Sequence, residues 1–204
     1  MRLVPGLRAP SFVIKALTGQ TYTLEQLRGE LVWLAFFRFA TCPLCNLRVH
    51  QLVDEWERTF AGKIHLFAIF QSPKERFTNY VSKYEPPFEL VSDVELALYQ
   101  QFGVETRISA TLHPKVATTL LEARRADIPL FDGPKDGGSF RVPADFLIDR
   151  NGVLRVCRYG EHLADSIASP DVLTFIGEHA QTSVNPGSLP PPAPTTTPPQ
   201  SLKT

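Results

Sequence analysis

Residues 31–60 read LVWLAFFRFATCPLCNLRVHQLVDEWERTF, and the rest of the chain is organised around them. They open with an unbroken apolar run, 31–37, whose length and aromatic-rich composition suit a strand covered on both faces. Beyond Phe39-Ala40-Thr41 the apolar period changes from strand to helix. Cys45, Val49, Leu52, Val53, Trp56 and Phe60 recur on one face, while Asn46, Arg48, Gln51, Asp54, Glu55 and Arg58 fall elsewhere. Thr41 or Cys42 can cap that helix, and Pro43 suits its first turn, where a missing N–H costs nothing. The sequence Cys42-Pro43-Leu44-Cys45 therefore opens a helix, with Cys42 at its N-terminus and Cys45 one turn later, heading the apolar face.

That placement has chemical consequences. The thiolate is the reactive form of cysteine, and a helix N-terminus favours negative charge through its unpaired N–H groups and its dipole. Cys42 is thus predicted to titrate below the free-thiol value of about 8.5. Cys45, against the apolar face, is predicted to stay a protected thiol within reach of a disulfide. Half a zinc site is the first rival reading, but zinc takes four ligands and Cys157 offers no second pair. Two inert core cysteines are the second. A C-x-x-C beside a strand–helix–strand pattern favours redox chemistry over both.

The composition narrows the setting. Two hundred and four residues of ordinary apolar content make one domain plus a tail, divided here as 1–182 and 183–204. A net charge of zero argues against a nucleic-acid partner. Three cysteines are too few for a secreted disulfide framework. The opening MRLVPGLRAPSF holds no continuous apolar run, and no stretch is long enough to span a bilayer. Together these predict a cytoplasmic protein without membrane contact, in which a disulfide is transient and catalytic. The five histidines form no i,i+4 pair, so no metal or other cofactor is assigned.

Around the central stretch, 13–17 and 21–24 predict a short β-hairpin through Thr18-Gly19-Gln20, and Thr23 caps a brief turn that Gly29 ends. Residues 63–70 form a second apolar strand, parallel to the first if the helix between crosses right-handedly. Ser72-Pro73 predicts a helix start running to about Tyr84, and Pro86-Pro87 ends that pattern. A short strand follows at 88–91, then a helix at 93–102 stopped by Gly103. In the segment 106–140, residues 114–125 look helical and 132–138 are a loop. Strands at 145–149 and 153–159 flank Asn151-Gly152, a strong hairpin signal, and Ser169-Pro170-Asp171 caps a last helix to about His179. From Ser183 onward Pro, Ser and Thr dominate, which predicts a disordered tail. The order implies an α/β fold: a central mixed sheet flanked by helices, with an N-terminal β-hairpin and the dithiol at the C-terminal end of the central strand.

Ala9-Pro10-Ser11-Phe12, the run from Gly29 into Cys42-Pro43, Leu90-Val91-Ser92-Asp93 before Phe102-Gly103-Val104, and Phe146-Leu147-Ile148-Asp149-Arg150-Asn151-Gly152 occur in an order that resembles the alkyl hydroperoxide reductase / thiol-specific antioxidant family. The resemblance covers most of residues 5–180 and implies a thioredoxin-like fold with Cys42 as the peroxidatic cysteine. It implies a hydroperoxide substrate and an external dithiol reductant of thioredoxin or glutathione type, and it allows a homodimer. The family carries threonine three residues before that cysteine, where this chain has Phe39, and arginine at the register of Pro143. Val142-Pro143 is instead similar to the cis-proline of thioredoxins and glutaredoxins, and the dithiol is close to that of a glutaredoxin.

Thr41, Cys42, Cys45, Arg141 and Pro143 are accordingly assigned to the site. Arg38, Arg48 and Arg141 can each lower the pKa of a nearby thiol by charge. Arg141 is chosen because the loop before the cis-proline packs against the dithiol in the fold the resemblance implies. Cys157 reads as a buried structural thiol in preference to a second resolving cysteine, a role Cys45 already fills. Three functions stay open: a hydroperoxide reductase cycling Cys42 and Cys45, a thiol–disulfide reductase, and a thioredoxin-fold module whose thiols only report redox state.

Overall fold

The computed structural model describes residues 1–130, 133 and 137–180. The tail predicted from Ser183, and residues 132 and 134–136 of the predicted loop, lie outside the described residues. The hairpin forms as predicted: β1 (Val13–Lys15) and β2 (Thr21–Thr23) pair antiparallel, with Gly19 at φ +91° in the turn. The main elements are β3 (Val32–Phe36), α1 (Pro43–Thr59), β4 (His65–Phe70), β5 (Glu89–Ser92) and α2 (Ala97–Gln101). After these come α3 (Pro114–Arg125), β6 (Ala144–Ile148), β7 (Leu154–Tyr159) and α4 (Ser169–His179). The central sheet runs β5-β4-β3-β6-β7; β3, β4 and β5 are parallel, and β6 and β7 pair antiparallel. The mixed sheet with helices on it is the predicted α/β fold.

Every residue of β3 is buried, and the strand's period of two divides its side chains between two cores. Trp33, Ala35 and Phe37 face α1 and α4, where the Trp33 and Phe60 rings meet edge-on at 5.7 Å. Val32, Leu34 and Phe36 face the N-terminal segment and α2, where Phe36 meets Tyr99 at 5.0 Å and Phe146 at 5.6 Å. Full burial of a side chain such as Phe36 stabilises the fold by about 1.5–3 kcal/mol. Cys157 belongs to the second core and the dithiol to the first, so the sheet separates them.

Four local expectations are corrected. The helix predicted over 72–84 is two single turns of 3-10 helix, Lys74–Arg76 and Val81–Tyr84. Ser72 does not cap it; its Oγ accepts from Ala40 N at 2.7 Å, and Tyr80 takes a non-helical backbone that breaks the ladder. The helix predicted from Asp93 begins only at Ala97, because both Asp93 carboxylate oxygens reach forward to accept from the N–H groups of Ala97, Leu98 and Tyr99. Ala168 rather than Ser169 stands at the cap of α4, and Ser169 Oγ donates to Glu55 Oε1 at 2.5 Å. No peptide bond among the described residues is cis, so Val142–Pro143 is trans. The carbonyl of Pro143 is held by Gly160 N at 2.8 Å, which seats the start of β6 without the predicted isomer.

Within 106–140 the described residues include a strand bridge at Thr106–Arg141, a single turn at Ile108–Thr111, and α3. α3 packs on α1 through a small cluster of Leu47, Ala123 and Ile128. It is thereby set beside the dithiol.

Candidate active site

The site forms where β3 and β4 stop being parallel neighbours. Tyr99 Oη lies 2.6 Å from the Phe37 carbonyl and 2.9 Å from the Ile69 carbonyl, so its single hydrogen is shared between the two strand ends. The loop leading to α1 is then pinned from within: Asn46 Nδ2 donates to the carbonyls of Ala40 at 2.6 Å and Cys42 at 2.9 Å. Cys42 is the N-cap of α1, its Sγ accepting from Cys45 N at 3.4 Å. A sulfur thus occupies the place where an oxygen usually satisfies the first orphan N–H groups.

The cation at this sulfur is Arg38. Its Nη2 donates to Cys42 Sγ at 2.8 Å and its Nη1 to the carbonyl of Ser139 at 3.3 Å, while its own backbone N–H donates to Cys45 Sγ at 3.4 Å. Burial pushes the Cys42 thiol up. That effect is outweighed by a hydrogen bond from the Cys45 thiol, the Arg38 charge, and the amides of Cys45 and Leu44, which bring it down to about 6. The same burial, with Cys42 beside it, drives Cys45 well above its ordinary value. One sulfur is thereby a thiolate at neutral pH and its neighbour a proton-bearing thiol. Cys157, expected to be buried, is only partly so, and that burial pushes its thiol up to about 12.

Cys42 is fully buried. It is reached through a cavity of ≈ 390 Å³ whose walls include Phe39, Leu44, Val116, Leu120 and Phe140. Two of these, Val116 and Leu120, come from α3, so the helix expected over 114–125 forms and builds part of the chamber over the reactive sulfur, a placement its sequence did not mark. Thr41 lines the same chamber, its methyl group lying under Gly133. Gly137 has no room for a side chain without displacing its neighbours, since a Cβ there would stand 3.1 Å from Gln71 Cβ and 3.2 Å from Phe39 Cβ. The described part of the 132–138 loop therefore lies backbone-down on the site.

Pro143 lines a second, smaller cavity on the far side of Cys45. Arg141 is placed elsewhere: its Nη1 donates to the carbonyl of Val104 at 2.8 Å and its guanidinium lies 5.0 Å from the Tyr99 ring centroid. Of the five assigned residues the structure brings together Thr41, Cys42 and Cys45, sets Pro143 at the edge, and puts Arg38 in the position expected of Arg141. Asn46 and Gln71 were not anticipated. Asn46 falls on the polar side of the helical pattern, yet it is buried and ties the loop. Gln71 Oε1 accepts from Gly138 N at 2.8 Å, a contact between residues far apart in sequence that no local pattern marks.

The chain is similar to known proteins in both sequence and fold. The sequence profile of the AhpC/TSA family matches residues 5–157. Peroxiredoxin Bcp of Escherichia coli (strain K12) is 24% identical over 182 residues, covering 87% of this chain and 98% of its own. Chloroplastic peroxiredoxin Q of Populus jackii is 25% identical over 107 residues, 52% of this chain and 50% of that one. Among solved structures, peroxidoxin BcpB of Mycobacterium tuberculosis superposes with a TM-score of 0.61 at 18% identity, over 89% of this chain and all of that chain (100%).

Proposed function

The chain belongs to the AhpC/TSA family, and from that premise we propose that it is a thiol-dependent peroxidase working through Cys42 and Cys45. The observation that carries the reading is the Cys42 thiolate, which caps α1 and pairs with Arg38, with a protonated thiol one turn away. Cys42 attacks the terminal oxygen of a hydroperoxide ROOH. The O–O bond breaks, ROH leaves with a proton, and Cys42 becomes a sulfenic acid. Cys45 condenses with it, expelling water and closing a disulfide. An external dithiol, of thioredoxin or glutathione type, then restores both thiols by exchange, as a reducing compartment such as the cytoplasm supports. The position of Cys157 across the sheet supports Cys45 as the resolving thiol. Among the described residues no helix is long and apolar enough to cross a membrane.

A second reading, thiol–disulfide reductase, is favoured by one feature: buried Pro143 lines the same cavity as Cys45, where the family's pattern has arginine. Stopped-flow oxidation of the reduced protein separates the two, followed through the fluorescence of Trp33 and Trp56. Faster oxidation by hydrogen peroxide or an alkyl hydroperoxide than by a model disulfide supports the peroxidase. The reverse order supports the reductase.

A further inference from the structure

The two sulfurs open onto different cavities. Cys42 lines the ≈ 390 Å³ chamber under α3, and Cys45 does not. Cys45 lines a separate cavity of ≈ 190 Å³ bounded by Arg48, Pro143, Ser166 and Ile167, and Cys42 does not. Arg38, Leu44 and Leu163 border both and form the partition. The residue with remaining surface is Cys45, 5% exposed against 0% for Cys42. The two sulfurs are therefore approached from separate cavities.

We infer that the smaller cavity is the port of the reducing thiol, and that a cysteinyl thiolate enters there and attacks the Cys45 sulfur of the oxidised protein. The inference rests on the peroxidase reading for the origin of the disulfide. In the step itself the incoming thiolate forms a bond to Cys45 Sγ and the Cys42–Cys45 bond breaks. The electron pair leaves on Cys42 as its thiolate, and Cys45 carries the mixed disulfide. A second thiolate then attacks the outer sulfur of that mixed disulfide, releasing the reductant as its own disulfide and leaving Cys45 to take up a proton.

Two further features favour this direction of attack. A thiol of lower pKa leaves faster, and Cys42 is the lowered one of the pair, stabilised on departure by Arg38 Nη2 and by the α1 amides. Attack at Cys42 would instead expel Cys45, whose thiolate burial disfavours. The port is also bordered by two arginines, of which Arg38 faces the dithiol and Arg48 is offset by Glu55 and Asp145. Arg38 is at its inner wall, and Arg48 at its side is held by the Ile167 carbonyl at 3.0 Å and shared with Glu55 at 3.5 Å.

The test starts from protein oxidised by diamide, which makes the disulfide without any peroxide. Failure of the peroxidase reading then leaves this experiment intact. Oxidised protein is pulsed with glutathione, quenched with N-ethylmaleimide, and digested for mass spectrometry. Glutathione on Cys45 with maleimide on Cys42 is the expected pattern, and the opposite placement overturns the proposal. If the mixed disulfide does not accumulate, two variants decide. Ser166→Phe, narrowing the smaller cavity, should slow disulfide reduction by about tenfold, a barrier change of about 1.4 kcal/mol, and by more than Leu120→Phe, which narrows the larger one. Equal slowing by both, or greater slowing by Leu120→Phe, overturns it. Running the variants with glutathione and with a reduced thioredoxin tells which source of thiolate the port prefers.

Discussion

Arg38→Met removes the guanidinium from Cys42 while keeping most of the apolar stem. The wild-type contact is a 2.8 Å hydrogen bond between a cation and a thiolate, both buried. Such charge-assisted bonds contribute about 1.5–3 kcal/mol. At about 1.4 kcal/mol for each pKa unit, the loss raises Cys42 from about 6 to about 7–8. It does not rise further, because the N–H groups of Leu44 and Cys45 and the Cys45 thiol remain in place. At about pH 7 the thiolate fraction then falls from roughly nine-tenths to between half and one-tenth, so alkylation slows by about two- to tenfold. The deficit widens at lower pH and closes above about pH 9, where both proteins are ionised. Iodoacetamide rates against pH, with the adduct mapped to Cys42, measure it directly. A variant whose rate profile overlays the wild type would refute the assignment of Arg38 as the cation at the sulfur.

Other outcomes follow from the same geometry. After one equivalent of peroxide, Cys157→Ser should still close one internal disulfide, whereas Cys45→Ser should stop at sulfenic acid or pass to sulfinic acid. Tryptic peptides joining Cys42 to Cys157 in Cys45→Ser would sink the dithiol cycle. Asp93→Ala strips the carboxylate that receives three N–H groups at the start of α2 and should cost about 1–2 kcal/mol, visible as a melting point several degrees lower. An unchanged melting point would show that other groups satisfy those amides. The Cys42 pKa is depressed on folding, so its contribution to stability is present above the unfolded value and lost as pH falls through about 6. Under reducing conditions the melting-point advantage of wild type over Cys42→Ser should therefore grow between about pH 6 and pH 8.5, and a flat difference would contradict the depressed pKa.

What could be read from sequence was whatever repeats at short range. The change of period at Cys42 and the Asn151-Gly152 hairpin each rest on neighbours within a few residues, and both stand in the structure. Ser72-Pro73 misled because it has the composition of a helix start. Its hydroxyl is committed to Ala40, a partner 32 residues away in sequence. Arg141 misled for a similar reason. Three arginines were plausible at the sulfur, and which one reaches it depends on where a loop turns its side chain after the sheet has assembled. The chamber over Cys42 was unreadable throughout, since its α3 wall is distant in sequence from the dithiol it covers.

The pairing of Arg38 with Cys42 also bears on the reduction potential of the couple. In the dithiol state Arg38 is 7% exposed and its guanidinium faces a thiolate, so the buried charges cancel. A disulfide carries no charge. Closing it leaves Arg38 with the Ser139 carbonyl as its named acceptor and with Nε already lacking a partner. An unmatched buried cation is costly, and that cost falls on the oxidised state alone. Whatever stabilises a dithiol over its disulfide makes the couple more oxidising. The arginine that readies Cys42 for attack therefore also destabilises the product of the cycle, so that electrons are drawn from the reductant and the resting protein returns to its thiols.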